Sequence, residues 1–216
     1  MSGPAPARPP TRVVLEGRYA RLEPIGPQHA ESLFAATDDA TGSRYRWLST
    51  LPPASVAEMR EALAAALART DRLTFAVLDR ATGAACGQQS LMRIEPAHGC
   101  IEIGAVLWGR GAARTRIATE AVRLFAGHVF DTLGYRRFEW KCDSRNDASQ
   151  AAARRFGFSY EGLFRQHMIV KGASRDTAWF AMLDGDWPRL RAEYDRWLAP
   201  ANFTADGTQK TPLRFG

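Results

Sequence analysis

The 216 residues, 45% apolar and 24% charged, suit one domain with a substantial core and argue against wholesale disorder. No apolar run approaches the ~18 residues of a membrane-spanning helix, and residues 1–10 lack the basic and apolar regions of a secretory signal. Twenty-nine Lys and Arg against 23 Asp and Glu leave a net charge of +6, which favours anionic partners; without a run of five basic residues, nucleic acid is not among those expected.

Cys86, Cys100 and Cys142 are an odd, dispersed set that forms no disulfide framework, and four scattered histidines add no zinc spacing. A reduced, cytoplasmic compartment is therefore expected, with no metal and no membrane partner.

Residues 1–11 are rich in Pro and Ala without apolar periodicity and are expected to be a disordered lead-in. Residues 199–216 are expected to be a tail, leaving 12–198 as the folded domain. Within it, residues 19–25 are the first strand, and Pro27 opens a short helix through Phe34 with Ala30, Leu33 and Phe34 on one face. Residues 43–53 are aromatic and irregular. Ser55 with Glu58 three later forms a capping box for a helix to about Arg69. Strands follow at 73–79, 85–94 and 100–107, separated by the turns Ala81-Thr82-Gly83 and Pro96-Ala97-His98-Gly99. A helix from Thr115 to about Thr132 ends at Gly134, a strand covers 135–142, and Asn146 caps a helix that reaches Phe156. Residues 163–170 and 177–183 make a hairpin around Lys171-Gly172. A last helix, 187–198, carries Pro188 in its first turn.

This order predicts a mixed α/β sheet, α+β in character: antiparallel strands first, then one right-handed strand–helix–strand crossover from 100–107 to 135–142.

The stretch that carries chemistry is the end of strand 100–107, the loop Trp108-Gly109-Arg110-Gly111-Ala112-Ala113, and the helix start Arg114-Thr115-Arg116. Free amides, the positive end of the helix dipole and two arginines there make an anion site that suits phosphate; an Arg-rich solvated helix start has the same composition. The loop is neither GxxxxGK[ST] nor GxGxxG with a ribose-binding acid behind it, which disfavours nucleotide hydrolysis and nicotinamide chemistry.

The order Glu102-Ile103-Gly104 on a strand, Ala118-Thr119-Glu120-Ala121 on the following helix, Asn146-x-x-Ser149, and Gly157-Phe158 with Glu161-Gly162 resembles the GNAT N-acetyltransferases, within them the RimJ/RimL-like branch. Residues 164–168 and 176–180 also look like that branch. The resemblance implies a mostly antiparallel sheet splayed between its fourth and fifth strands (100–107 and 135–142) and flanked by helices. It implies transfer of acetyl from acetyl-CoA directly to a primary amine: a protein N-terminus, an amino acid or peptide, or an aminated antibiotic or toxin. The protein would be a monomer or homodimer.

In such proteins the pantetheine arm pairs with the strand edge, here Ala105, Val106 and Leu107. The diphosphate sits on the amides that open the next helix, here Arg114, Thr115, Arg116, Ile117, Ala118 and Thr119. The family pattern Gln/Arg-x-x-Gly-x-Gly/Ala falls on Ala113, Arg116 and Ala118, so only its last small residue matches. The side chain of Arg116 is therefore expected to turn away from the phosphates while its amide faces them.

The RimL-like pattern makes Ser149 the hydroxyl that protonates the departing thiolate and Asn146 the residue that holds the pantetheine arm or a water. Without it, they are a helix-face serine bonded to the backbone and an N-cap. The carboxylate of the branch's sixth strand falls on Met168, which cannot act as a base. That leaves Glu102, where other GNAT members carry a catalytic Glu, or His167, which faces away from Met168 in strict alternation unless a bulge re-aims it, or a water relay. A free amine near pKa ~10 needs such a base, and the oxyanion needs a donor such as the Val106 or Leu107 amide. Trp47, Arg46, Asp143 and Gln166 are the expected acceptor-binding residues. A non-catalytic acyl-CoA sensor is the alternative, supported by Met168 and the altered loop. A nucleic-acid-associated protein would rest on the basic balance alone.

Overall fold

The computed structural model describes residues 6–39 and 41–215. Eight strands form one sheet: β1 (Leu15–Glu16), β2 (Ala20–Pro24), β3 (Arg72–Asp79), β4 (Ala85–Glu95), β5 (Cys100–Trp108), β6 (Arg137–Asp143), β7 (Ser159–Val170) and β8 (Ala173–Leu183). Their order across the sheet is β1-β2-β3-β4-β5-β6-β8-β7. Neighbours are antiparallel except β5 and β6, the parallel pair that the crossover helix joins. The expected fold class is therefore the observed one. Because β1 adds two residues ahead of the first expected strand, the fourth and fifth strands of the sequence reading are β5 and β6.

Helices α1 (Ala30–Thr37) and α2 (Val56–Ala68) cover one face of β2–β4, burying Leu33, Met59 and Leu63 against Ile25, Ala76 and Leu78. Ser55 caps α2 by accepting from the Glu58 amide at 3.2 Å; the Glu58 carboxylate accepts from Ala54 N rather than Ser55 N. Helices α3 (Arg116–Gly127), α4 (Asp147–Arg155) and α5 (Trp187–Leu198) lie on the other side. There the larger core gathers Phe75, Leu91, Ile103, Phe125, Phe138, Trp140 and Phe180. The α5 side chains Trp187, Leu190, Tyr194, Trp197 and Leu198 recur at helical spacing and are all buried. The expected helix to Thr132 is α-helical only to Gly127; residues 128–132 continue it as a π turn.

The chain ends differ from expectation. Residues 1–5 lie outside the described residues, but Ala7 is buried, its amide bonded to Pro96 O, and Arg8 N bonds Leu133 O at 2.8 Å. From residue 7 onward the lead-in is thus docked on the fold. Residues 199–215 are not a free arm either. Asn202 is buried, its side chain donating to Trp197 O and accepting from Thr211 N, both at 2.9 Å. Phe203 and Leu213 pack into the core behind it. One buried amide satisfies the backbone of this turn, so few apolar residues suffice to hold it.

Candidate active site

Cys100–Ile103 of β5 pair with 137–140 of β6, and the pairing stops there. From Gly104 onward β5 keeps only β4 as its partner, with Ser90 opposite Gly104 and Gln88 opposite Leu107. Two residues, Ala105 and Val106, therefore stand opposite Gln89 alone. Ala105 has φ +48°, a left-handed conformation that costs a residue with a side chain about 1–3 kcal/mol. The bulge turns β5 away from β6 and leaves an edge of backbone amides and carbonyls facing a cleft.

At the end of β5 the chain turns through residues 109–115. Gly109 passes α1 so closely that a Cβ on it would lie 2.5 Å from Ala36 O, and Gly109 N bonds Cys86 O at 2.8 Å. Arg114, at φ +63°, redirects the chain into α3. Thr115 caps that helix, its hydroxyl accepting from Ile117 N at 3.1 Å. The Arg116 guanidinium lies 4.2 Å over the Tyr19 ring and 5.3 Å from Phe203, and Arg116 lines one cavity with Tyr19, Gly111, Thr115 and Ile117. Glu120 sets this arrangement by accepting from the amides of Arg18, Tyr19 and Ala20 at 2.9, 2.5 and 2.6 Å.

Alternation along β6 sends Phe138, Trp140 and Cys142 into the α3–α4 side. There the Trp140 indole donates to Ser149 Oγ at 3.0 Å. Because tryptophan only donates, the serine must accept here and keeps its own hydrogen for another partner. The Cys142 thiol is a neighbour: burial pushes it up, opposed by a hydrogen bond from Ser149. Asn146 caps α4, with Oδ1 accepting from Ser149 N at 3.1 Å. Trp108, Trp140 and Phe156 line this side of the cleft, with ring centroids 5.7–6.3 Å apart.

The other face of the same strands is charged. Buried Glu102 pairs through Oε2 with Arg93 Nε and Lys141 Nζ, both at 3.0 Å, and Lys141 also meets Glu139 at 2.6 Å. Burial raises the Glu102 carboxyl, against the pull of Lys141 and Arg93. Lys141 Nζ lies 3.7 Å from the centre of the Trp179 ring. His167 stands in the same cluster because β7 bulges between Phe164 and Met168, with Gln166 at φ +49°. Its Nδ1 lies 3.0 Å from Thr177 Oγ1. Burial first, then the charges of Arg93, Arg175 and Lys141, hold the imidazole below its ordinary value of 6.5. Among the described residues no cluster of three His, Cys, Asp or Glu side chains is placed to hold a metal ion.

Comparison with known proteins agrees with this geometry. The acetyltransferase (GNAT) domain family matches residues 20–159. The chain belongs to this family. It is 51% identical to a GCN5-related N-acetyltransferase from Brucella melitensis of known crystal structure, over 97% of this chain and 96% of that one, with a TM-score of 0.93. It is 26% identical to the uncharacterized N-acetyltransferase YoaA of Bacillus subtilis (strain 168), over 76% of this chain and 93% of the relative. The microcin C7 self-immunity acetyltransferase MccE, solved in complex with acetyl-CoA and AMP, shares the fold at 20% identity, covering 77% of this chain and 93% of that one, with a TM-score of 0.67.

In this GNAT chain the sequence-derived residues fall into three groups. Ala105, Val106 and Leu107 lie on the bulged edge, and Arg114 to Thr119 at the α3 start. Ser149 and Asn146 are on the helix side of the cleft, Glu102 and His167 on the open face. Arg46, Trp47 and Asp143 line one cavity, but Gln166 does not. Gln166 is exposed in the β7 bulge, its amide donating to Asp176 Oδ1 at 2.7 Å. Sequence reasoning missed Arg93, Arg145, Lys171 and Arg175. Alternation of Lys141 with Trp140 already put that lysine on the face of Glu139, but the strand pairing that adds Glu102 was not readable.

Proposed function

We propose that this GNAT protein is a RimJ/RimL-like N-acetyltransferase that moves acetyl from acetyl-CoA directly to a primary amine in the cytoplasm. The parting of β5 from β6 after Ile103 and Trp140 carries the proposal: it opens a passage between an apolar helix side and a charged open face. The residues present suit acetyl-CoA. The bulged edge at Ala105, Val106 and Leu107 offers unpaired backbone to an amide-bearing arm. The α3 start, with Arg114 and Arg116, offers amides and charge to a diphosphate. That Arg116 stacks on Tyr19 leaves its amide unobstructed by its own side chain. Bound acetyl-CoA supplies an acyl group activated as a thioester.

The protein's own groups do the rest. The Val106 or Leu107 N–H donates to the oxygen on which charge develops. His167 is the better base: its depressed pKa keeps it neutral at pH 7, whereas two cations engage the Glu102 carboxylate. Ser149, fixed by the Trp140 indole, relays a proton to the departing sulfur and takes one from solvent in exchange, while the proton that His167 removes from the amine returns to solvent. Asn146 holds the α4 start in place through Oδ1, which accepts from Ser149 N. Cys86 and Cys142 are buried with raised thiols, which opposes an acyl-enzyme route.

The test is thiol release from acetyl-CoA with a panel of primary amines, read together with mass spectrometry of the acceptors. Acetylated amine formed in step with free thiol is expected. Tight CoA binding without transfer to any amine contradicts the proposal.

A further inference from the structure

We infer that the acceptor carries an anionic group, a carboxylate or a phosphate, received by the cavity between residues 46–47, the end of β6 and the β7–β8 turn. The inference rests on the acetyl-transfer proposal and names the class of its acceptor.

The cavity holds about 160 Å³. Its charged lining is Arg46, Arg145, Lys171 and Arg175 against the single carboxylate of Asp143, a balance of four to one. That carboxylate is already committed. Asp143 takes Arg145 Nε at 2.9 Å and Nη2 at 2.7 Å, and accepts from the Arg145 amide at 2.9 Å. Among the described residues the other three cations form no ion pair, and of these only Arg175 acts on Asp143 through its charge. Lys171 donates to Tyr45 O at 2.9 Å, a neutral acceptor. Arg46 lies 4.8 Å from the centre of the Trp47 ring, with the Arg145 guanidinium 5.6 Å from the same ring. The indole thus fixes two guanidinium planes at the rim.

Arg175 is the deciding group. Its Nε is buried and has no hydrogen-bond partner among the described residues, and no carboxylate among them forms an ion pair with it. A buried guanidinium N–H without an acceptor is costly to fold, and an anion arriving in the cavity supplies the acceptor. Asp143 ends the strand that carries Lys141 on the same face, so the cavity lies on the face of the sheet that holds Glu102. The same field repels polycationic amines.

The test uses the full chain and two matched pairs: O-phosphoethanolamine with ethanolamine, and glycylglycine with glycylglycinamide. Each is titrated calorimetrically and offered as an acceptor with acetyl-CoA. The anionic member of at least one pair is expected to bind ten-fold or more tightly than its neutral partner. That preference should fall to within two-fold in Arg175→Gln and in Arg46→Gln, with folding checked by circular dichroism. Preference confined to the first pair assigns a phosphate, and to the second a carboxylate. Equal affinity within each pair, no measurable binding of either anion, or a preference that survives in both variants overturns the inference. Anion preference without transfer to any amine leaves the cavity's role standing and removes the transferase proposal instead.

Discussion

The two faces of β6 differ as sharply as any two regions of the molecule. On one, Phe138, Trp140 and Cys142 are buried among aromatic rings under the helices. On the other, Arg137, Glu139, Lys141 and Asp143 form a charged row that continues through Glu102, Arg93 and Glu161. A single strand of alternating residues thereby has one apolar face and one ionic face, and the parting of β5 from β6 lies beside both. The faces also fail differently: an apolar wall loses packing when trimmed, whereas an ionic wall is damaged most by removing one member and leaving its partners unpaired.

The largest effect expected follows from that contrast. Lys141→Met strips a buried cation from between Glu102 and Glu139 and should destabilise the fold by about 3–5 kcal/mol in urea unfolding. Adding Glu102→Leu should recover much of the loss, because the pair is then replaced as a unit. A stable single variant would mean that the row is not ion-paired in solution.

Next in size are the groups proposed for catalysis on either side. Ser149→Ala should lower kcat roughly 100-fold with little change in KM for acetyl-CoA. His167→Gln should lower kcat by a similar factor and abolish the acid limb of the pH profile. In the wild type that limb belongs below pH 6.5: the imidazole is depressed, so the neutral base persists below its ordinary value and is lost only as pH falls through the lowered one. A limb above 6.5, or one that survives in His167→Gln, would take the base role from His167.

Smaller effects belong to the diphosphate site proposed at the α3 start. Arg114→Ala should raise KM for acetyl-CoA about ten-fold, the worth of one charge-assisted contact, and leave kcat nearly unchanged. Arg116→Ala should do less, since its guanidinium is spent on Tyr19 and Phe203 in a contact worth about 0.5–1 kcal/mol. Equal changes in kcat from Arg114→Ala and Ser149→Ala would erase the distinction between the holding and reacting sides.

Local signals made the elements legible. Ser55 and Asn146 each sit where a cap was expected, Thr115 caps the helix it was expected to open, and α5 spans the expected residues. The parting of the fourth and fifth expected strands was implied by the family resemblance, whose motifs flank the strand–helix crossover. Non-local partners were hidden. Glu102 meets Arg93 and Lys141 only through pairing across β4, β5 and β6, and Arg175 joins Arg46 only because the hairpin end folds toward residues 46–47. The chain ends were misjudged for a related reason: composition counts apolar residues, while Asn202 anchors its segment through its side-chain amide on the Trp197 and Thr211 backbone, and Arg8 through its own backbone amide on Leu133 O.

A crystal structure with coenzyme A bound measures the central claim most directly. The diphosphate is expected on the amides that open α3, the pantetheine arm along Ala105, Val106 and Leu107, and the sulfur within about 3.5 Å of Ser149 Oγ. Coenzyme bound elsewhere, with β5 and β6 closed over an empty cleft, would contradict it.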